Sequence, residues 1–199
     1  TSKTPASPVL SDWEYNWLTQ VDALPREELD LSDPFRPAVQ FKLRCDEYWI
    51  AMSPGNDFPN KPPVVRCAYQ QGFSFEWYSV EDLDEQPSTL ADLVHLYREY
   101  CEVLDLAISQ IKLLENDLTT LIGYSLHEDD NQCFAVKLRL KSEEDETITI
   151  FVDWQNPLDF PRYISSTNEE RFAHLNCEVW EPTEELYVNV GRILSDAPE

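Results

Sequence analysis

Phe58-Pro59-Asn60-Lys61-Pro62-Pro63-Val64-Val65-Arg66-Cys67-Ala68-Tyr69 is the stretch from which the fold can be read. Prolines at 59, 62 and 63 fix φ and remove three backbone donors, so this segment suits neither mid-sheet nor mid-helix and forms a rigid extended turn. The turn sets where the next strand, Val64 to Tyr69, begins. Upstream, Val39, Phe41, Leu43 and Cys45 alternate with Gln40, Lys42 and Arg44, which is the pattern of a half-buried strand. Asp46-Glu47 is short enough for a hairpin, and Tyr48 to Met52 returns as its second strand. An antiparallel meander is therefore expected up to the proline turn.

Beyond the turn, Phe73, Phe75, Trp77 and Tyr78 form an aromatic run whose alternation places one side under a helix. That helix is predicted to open at Thr89, with Asp92 three residues on and Pro87-Ser88 before it, a start like a capping box. Leu90, Leu93, Val94, Tyr97, Tyr100, Cys101, Leu104, Ala107, Ile108, Ile111 and Leu114 follow at helical spacing, a stripe that a sheet or helices must cover. The opposite face, with Arg98, Glu99, Glu102, Asp105, Ser109 and Lys112, reads as solvated.

Before the meander, a frayed lead-in gives way at Ser11 to a capped helix with Trp13, Trp17, Leu18, Val21 and Leu24, stopped by Pro25. The two tryptophans either pack this helix onto the domain or form a docking patch. After Asn116 the pattern restarts. Leu121 to Leu126, Cys133 to Leu140 and Thr147 to Trp154 read as strands, with Phe134, Val136, Leu138 and Leu140 on one face. A short strand is expected over Asn176 to Val179, then a closing helix capped by Thr183 with Leu186, Val190, Ile193 and Leu194 on its core face. The expected class is α+β, two lobes each made of an antiparallel meander packed on helices and joined through the long helix. The divisions are a lead-in and helix over 1–37, a first lobe with the long helix over 38–117, and a second lobe over 118–199.

The 38 acids against 15 bases give a net charge of −23, which argues against grasping nucleic-acid phosphates or an anionic membrane surface. A basic protein partner, or plain solubility, fits that balance better. The 199 residues, 42% of them hydrophobic, suffice for a real core. No apolar run approaches the roughly 18 residues of a membrane span, and no signal-peptide pattern follows Thr1. The five cysteines, Cys45, Cys67, Cys101, Cys133 and Cys177, lie far apart without a CxxC pair, as reduced core residues of an intracellular protein do. His95, His127 and His174 have no metal-ligand spacing, and the acidic runs Glu81 to Glu85, Glu128 to Asp130 and Glu143 to Glu146 lack the EF-hand alternation. With four glycines and no phosphate loop or nucleophile elbow, no catalytic residue, metal or cofactor is indicated.

Phe58-Pro59-Asn60-Lys61-Pro62-Pro63, after a meander and before a tryptophan and a long helix, resembles the YPxxPP turn of RWD and ubiquitin-conjugating (UBC-like) domains, with Phe for Tyr. Conjugating enzymes use a reactive Cys downstream of a His-Pro-Asn triplet. This chain has no such triplet, and Cys67 falls inside a predicted strand, so it looks like a non-catalytic relative with a buried thiol. Most of the chain is similar to the central UBC-RWD domain of the Fanconi anaemia group L family, the RING ubiquitin ligases of that DNA-repair pathway. The likeness runs from the helix before Asp33-Pro34-Phe35 through the proline turn (Phe58, Pro59, Pro62, Pro63) and Phe75-x-Trp77 to Asn176-x-x-x-Trp180-x-Pro182 and a final helix. Spacing within the second lobe departs from the family.

The resemblance implies a nuclear and cytoplasmic protein whose second lobe shows an apolar patch to the ligase's substrates, the paired Fanconi proteins that receive one ubiquitin. The nearest positions are Ile148, Ile150, Phe151, Val152 and Trp154 of the hairpin and the following Leu158 and Phe160. Either the Ile148/Ile150/Val152 set or Phe151 faces the core, and the other set is either the candidate patch or buried with it, since a large exposed patch is exceptional for a monomer. It further implies that a ubiquitin-conjugating enzyme is recruited only by a RING outside this fragment, which has no ligase activity alone. Tandem RWD-like domains also look like docking modules of kinetochore and mRNA-export scaffolds, which gives a second functional class. An active conjugating enzyme is a third, decided by whether Cys67 forms a thioester with ubiquitin.

Overall fold

The computed structural model describes residues 9–78, 87–142, 146–172 and 177–196. The architecture is α+β, with two separate four-stranded antiparallel meanders, β1-β2-β3-β4 and β5-β6-β7-β8, and a long helix between them in the chain. The chain divides into two compact units, one formed by residues 1–42 and 47–99, the other by residues 43–46 and 100–199. The division thus falls inside the long helix, and the tip of one hairpin of the first sheet groups with the second unit.

In unit 1, helix α1 (Asp12–Asp22) opens with a full capping box, the Ser11 hydroxyl taking the Glu14 N–H and the Glu14 carboxylate reaching back to the Ser11 backbone. Its two tryptophans separate. Trp17 is buried and donates its indole N–H to the Pro34 carbonyl at 2.9 Å, whereas Trp13 stays exposed. The sheet comprises β1 (Leu29–Asp30), β2 (Ala38–Lys42), β3 (Glu47–Ser53) and β4 (Val64–Cys67). Strand β1 was not expected: its two residues are too short for a readable alternation. The strand predicted to run to Cys45 stops at Lys42, because residues 43–46 make the turn, with the Leu43 N–H bonded to the Asp46 carbonyl.

The proline turn has a cis peptide at Phe58–Pro59 and centres on an aromatic cluster. The Phe58 ring meets Trp17 at 4.9 Å and Trp77 at 5.9 Å, and the Trp77 indole donates to the Pro59 carbonyl at 2.8 Å. Phe58, Pro59 and Trp77 therefore act as one structural unit. Gly55 lies so close to this turn that a Cβ there would meet the Pro62 carbonyl oxygen at 2.8 Å.

Helix α2 (Leu90–Lys112) has 23 residues, about 35 Å at 1.5 Å per residue. Its predicted stripe from Leu90 to Leu114 is buried throughout, and the Asp92 N–H bonds to the Thr89 hydroxyl as the capping pattern foretold. In its unit 1 half, Tyr97 sits between Phe41 and Phe73 and donates its hydroxyl to the Ala68 carbonyl at 2.9 Å. Arg98 lies over the Phe41 ring and pairs with Glu28, so this member of the expected solvated face is half-buried.

Unit 2 carries β5 (Thr119–Leu126), β6 (Cys133–Leu140), β7 (Thr147–Asp153) and β8 (Tyr163–Ser166), then α3 (Glu169–Phe172) and α4 (Leu186–Asp196). Phe134, Val136, Leu138 and Leu140 are all buried on β6. Strand β8 and helix α3 were missed: Tyr-Ile-Ser-Ser holds one aliphatic residue, and α3 is a single turn. Of the short strand expected over 176–179, Asn176 lies outside the described residues and Cys177–Val179 form a 3-10 turn instead. Helix α4 begins three residues after Thr183, the expected cap; its first N–H, on Leu186, is taken by the side-chain amide oxygen of Gln110 on α2 at 3.1 Å. Unit 1 uses the same device, the Leu90 N–H of α2 bonding to the Gln20 side chain of α1 at 2.9 Å. Each unit also ties a loop carbonyl to an indole, since Trp180 donates to Leu158 at 2.7 Å as Trp77 does to Pro59.

Candidate protein-interaction site

The C-terminal half of α2 carries more than one apolar stripe. Besides the buried one, Val103 and Leu106, three residues apart, are exposed, Leu106 by 58%. Asp105, expected among the solvated residues, is only 6% exposed. Its two carboxylate oxygens accept the Arg44 and Cys45 backbone N–H groups, each at 3.1 Å, which fastens the hairpin tip to the helix. Lys112 reinforces that attachment by donating to the Cys45 carbonyl at 2.5 Å. Burial of Asp105 is therefore matched by two charge-assisted bonds.

Val103, Leu106, Ser109 and Gln110 form one wall of an open groove of about 450 Å³, closed by Arg44 and by the loop from Trp154 to Asp159. The loop is held firmly. Trp154 donates its backbone N–H to the Gln132 carbonyl and its indole N–H to the Asn131 carbonyl, at 3.0 and 2.7 Å, while Tyr100 meets its ring edge-on at 5.3 Å. The Asp153 carboxylate takes the Gln155 N–H at 2.8 Å, and the Leu158 carbonyl is the one bound by Trp180. A concavity with pinned walls that mixes apolar and polar side chains is suited to hold a partner's side chains.

The residues singled out from the sequence are dispersed by this geometry. Ile148 and Ile150 are at most 1% exposed and, with Val152, make the inner face of β7, so they are core residues that no partner reaches. The period of two then turns Phe151 outward, but it is half-buried between His127 at 4.9 Å and Tyr163 at 5.9 Å. Phe160 packs edge-on against Trp180 at 5.3 Å. Trp154 and Leu158 alone among them line the groove. Val103 and Leu106 were missed. Their spacing on an otherwise polar face was the available signal.

Cys67 and Cys133 are poor nucleophiles. Burial pushes Cys67 up to about 12, and burial together with the neighbouring Asp130 carboxylate does the same for Cys133. Cys45 is half-buried and shifted upward by burial and then Asp105, and Cys101 is buried; Cys177 is exposed. Labelling the native protein at neutral pH with an aromatic disulfide reagent should therefore modify Cys177 within the mixing phase and Cys45 more slowly. Cys67, Cys101 and Cys133 should react only in denaturant, and rapid modification of Cys67 would contradict this.

His95 faces solvent beside Glu99 at 3.2 Å, and His174 lies outside the described residues, as do Glu81 to Glu85 and residues 143–145. Among the described residues no three His, Cys, Asp or Glu side chains are grouped to hold a metal ion, and no helix is long and apolar enough to cross a membrane. No model of a known protein family matches the chain, and neither does any curated protein sequence.

Proposed function

We propose that this chain is a non-catalytic protein-interaction domain of a RING ubiquitin ligase of the Fanconi type, which recognises the substrate proteins for addition of a single ubiquitin in DNA repair. The observation that supports recognition is the groove whose wall exposes Val103 and Leu106 beside the pinned Trp154–Asp159 loop. Exposed aliphatic side chains in a concave site are the kind of feature that binding energy concentrates on. The buried, protonated Cys67 thiol supports a role without thioester chemistry.

Leu106→Asp tests the reading, because the side chain is exposed and its replacement leaves the core intact. Pull-down of the paired Fanconi substrate proteins should weaken by about thirtyfold, which corresponds to roughly 2 kcal/mol at a central contact. The circular dichroism melt should stay within about 2 °C of wild type, as for a surface change. Full capture by the folded variant would remove the groove from the site. No capture by the wild type would replace the ligase reading with that of a scaffold docking module.

A further inference from the structure

Unit 1 holds a second concavity, larger at about 590 Å³. It lies over the less buried face of its sheet, where Val64 and Arg66 of β4 stand opposite Ser53 and Ala51 of β3. Trp13 and the Phe35-Arg36 pair complete it. The aromatic wall is well formed, the Trp13 and Phe35 rings meeting edge-to-face at 6.1 Å. The turn that presents Phe35 and Arg36 is fixed at several points. The Asp33 carboxylate accepts the Phe35 N–H at 2.9 Å, and the Asp33 carbonyl accepts the Arg36 N–H at 3.0 Å. The buried Trp17 holds the Pro34 carbonyl, and the Met52 N–H of β3 holds that of Pro37 at 3.0 Å. Such a wall is ordered before any ligand arrives, which lowers the entropic cost of binding.

The charge of this pocket runs against that of the chain. With 38 acids and 15 bases overall, its lining still contains two guanidinium groups and no carboxylate. Arg98 pairs with Glu28, Arg162 with Asp130 and Asp153, and Arg192 with Glu184, while Arg26, Arg44 and Arg139 form no ion pair among the described residues but are dispersed rather than set together in one pocket. Among the described residues, Arg36 and Arg66 are bonded to no carboxylate, and both are exposed. In an acidic chain, two unneutralised guanidinium groups beside Trp13, Phe35 and the 54% exposed Val64 match a ligand that combines carboxylates with an apolar side chain. One small carboxylic acid leaves a guanidinium or the apolar wall unused.

We infer that this pocket is a second docking site, which receives an acidic peptide segment, an apolar side chain seated against Trp13, Phe35 and Val64 and flanking carboxylates paired with Arg36 and Arg66. The site lies wholly within unit 1 and is independent of the groove of unit 2. Its partner differs in chemistry from the basic protein that the net charge alone suggests.

The test is fluorescence anisotropy of the intact chain with a labelled short peptide of one leucine flanked on both sides by aspartates. Its comparison is the same peptide with every aspartate replaced by asparagine. The acidic peptide should bind at least about tenfold more tightly than its amide counterpart, and this advantage should shrink as salt is raised. Arg36→Glu combined with Arg66→Glu should cost at least about tenfold, while Leu106→Asp changes nothing. Should the charge reversal lower the melt, Arg36→Gln with Arg66→Gln takes its place. Equal affinity for both peptides, undiminished binding by the folded double variant, or no binding of the acidic peptide at low salt overturns the proposal. Loss of substrate capture by Leu106→Asp with the acidic peptide still bound separates the two sites.

Discussion

Trp154→Ala is expected to destabilise unit 2 too strongly to report cleanly on binding. The ring is 7% exposed, its indole N–H satisfies the Asn131 carbonyl, and Tyr100 packs edge-on against it. Truncation leaves a cavity beneath the loop and an unpaired carbonyl. Such losses cost about 3–5 kcal/mol, a large part of the roughly 5–15 kcal/mol that holds a domain together. The thermal midpoint should fall by on the order of 10 °C, followed by far-ultraviolet circular dichroism. A melt that coincides with wild type would show that Trp154 is dispensable to packing. Trp154→Ala and Phe151→Ala are accordingly unsuited to mapping a binding face, whereas Leu106→Asp suits it.

The second large effect is placed at Asp105. Asp105→Ala removes both acceptors from the Arg44 and Cys45 N–H groups and releases the hairpin tip that forms one end of the groove. Losing two charge-assisted bonds at a buried carboxylate should cost about 2–4 kcal/mol in a urea titration. Asp105→Asn keeps one acceptor oxygen and should lose roughly half as much. Equal stability of the two variants would mean that the carboxylate does not hold the tip. Both should also weaken partner capture, since Arg44 would no longer be fixed beside Val103 and Leu106.

The two predictions share a cause: residues chosen for their chemistry at the surface turn out to be fasteners of the backbone. In Trp154 an apolar ring with one donor bridges a strand end to the preceding turn. In Asp105 a charged group is taken inside because two peptide N–H groups need it. Asp105 acts on the groove through the wall it holds, whereas Trp154 both holds a wall and lines the groove. On the proposed function, affinity lies in exposed aliphatic groups such as Leu106 and stability in the groups behind them.

Local chemistry alone determined the elements. Three prolines left residues 58–63 no option but a turn, the period of two drew β3, β6 and β7, and a 3.6-residue stripe with Thr89 at its head drew α2. Two rounds of meander and helix then followed from order. Strand β1 and helix α3 were beyond such reading, because they have too few residues to express a period. Only the tertiary structure decided which face of β7 is core, since Ile148-Ile150-Val152 and the opposing Phe151 are apolar alike until a sheet has a covered side. It likewise decided that Asp105 goes inside while Leu106, the next residue, stays in water. A helical position says only which way a side chain points. What lies there, a hairpin tip with two unpaired N–H groups or open solvent, is set by residues some sixty positions away in the chain.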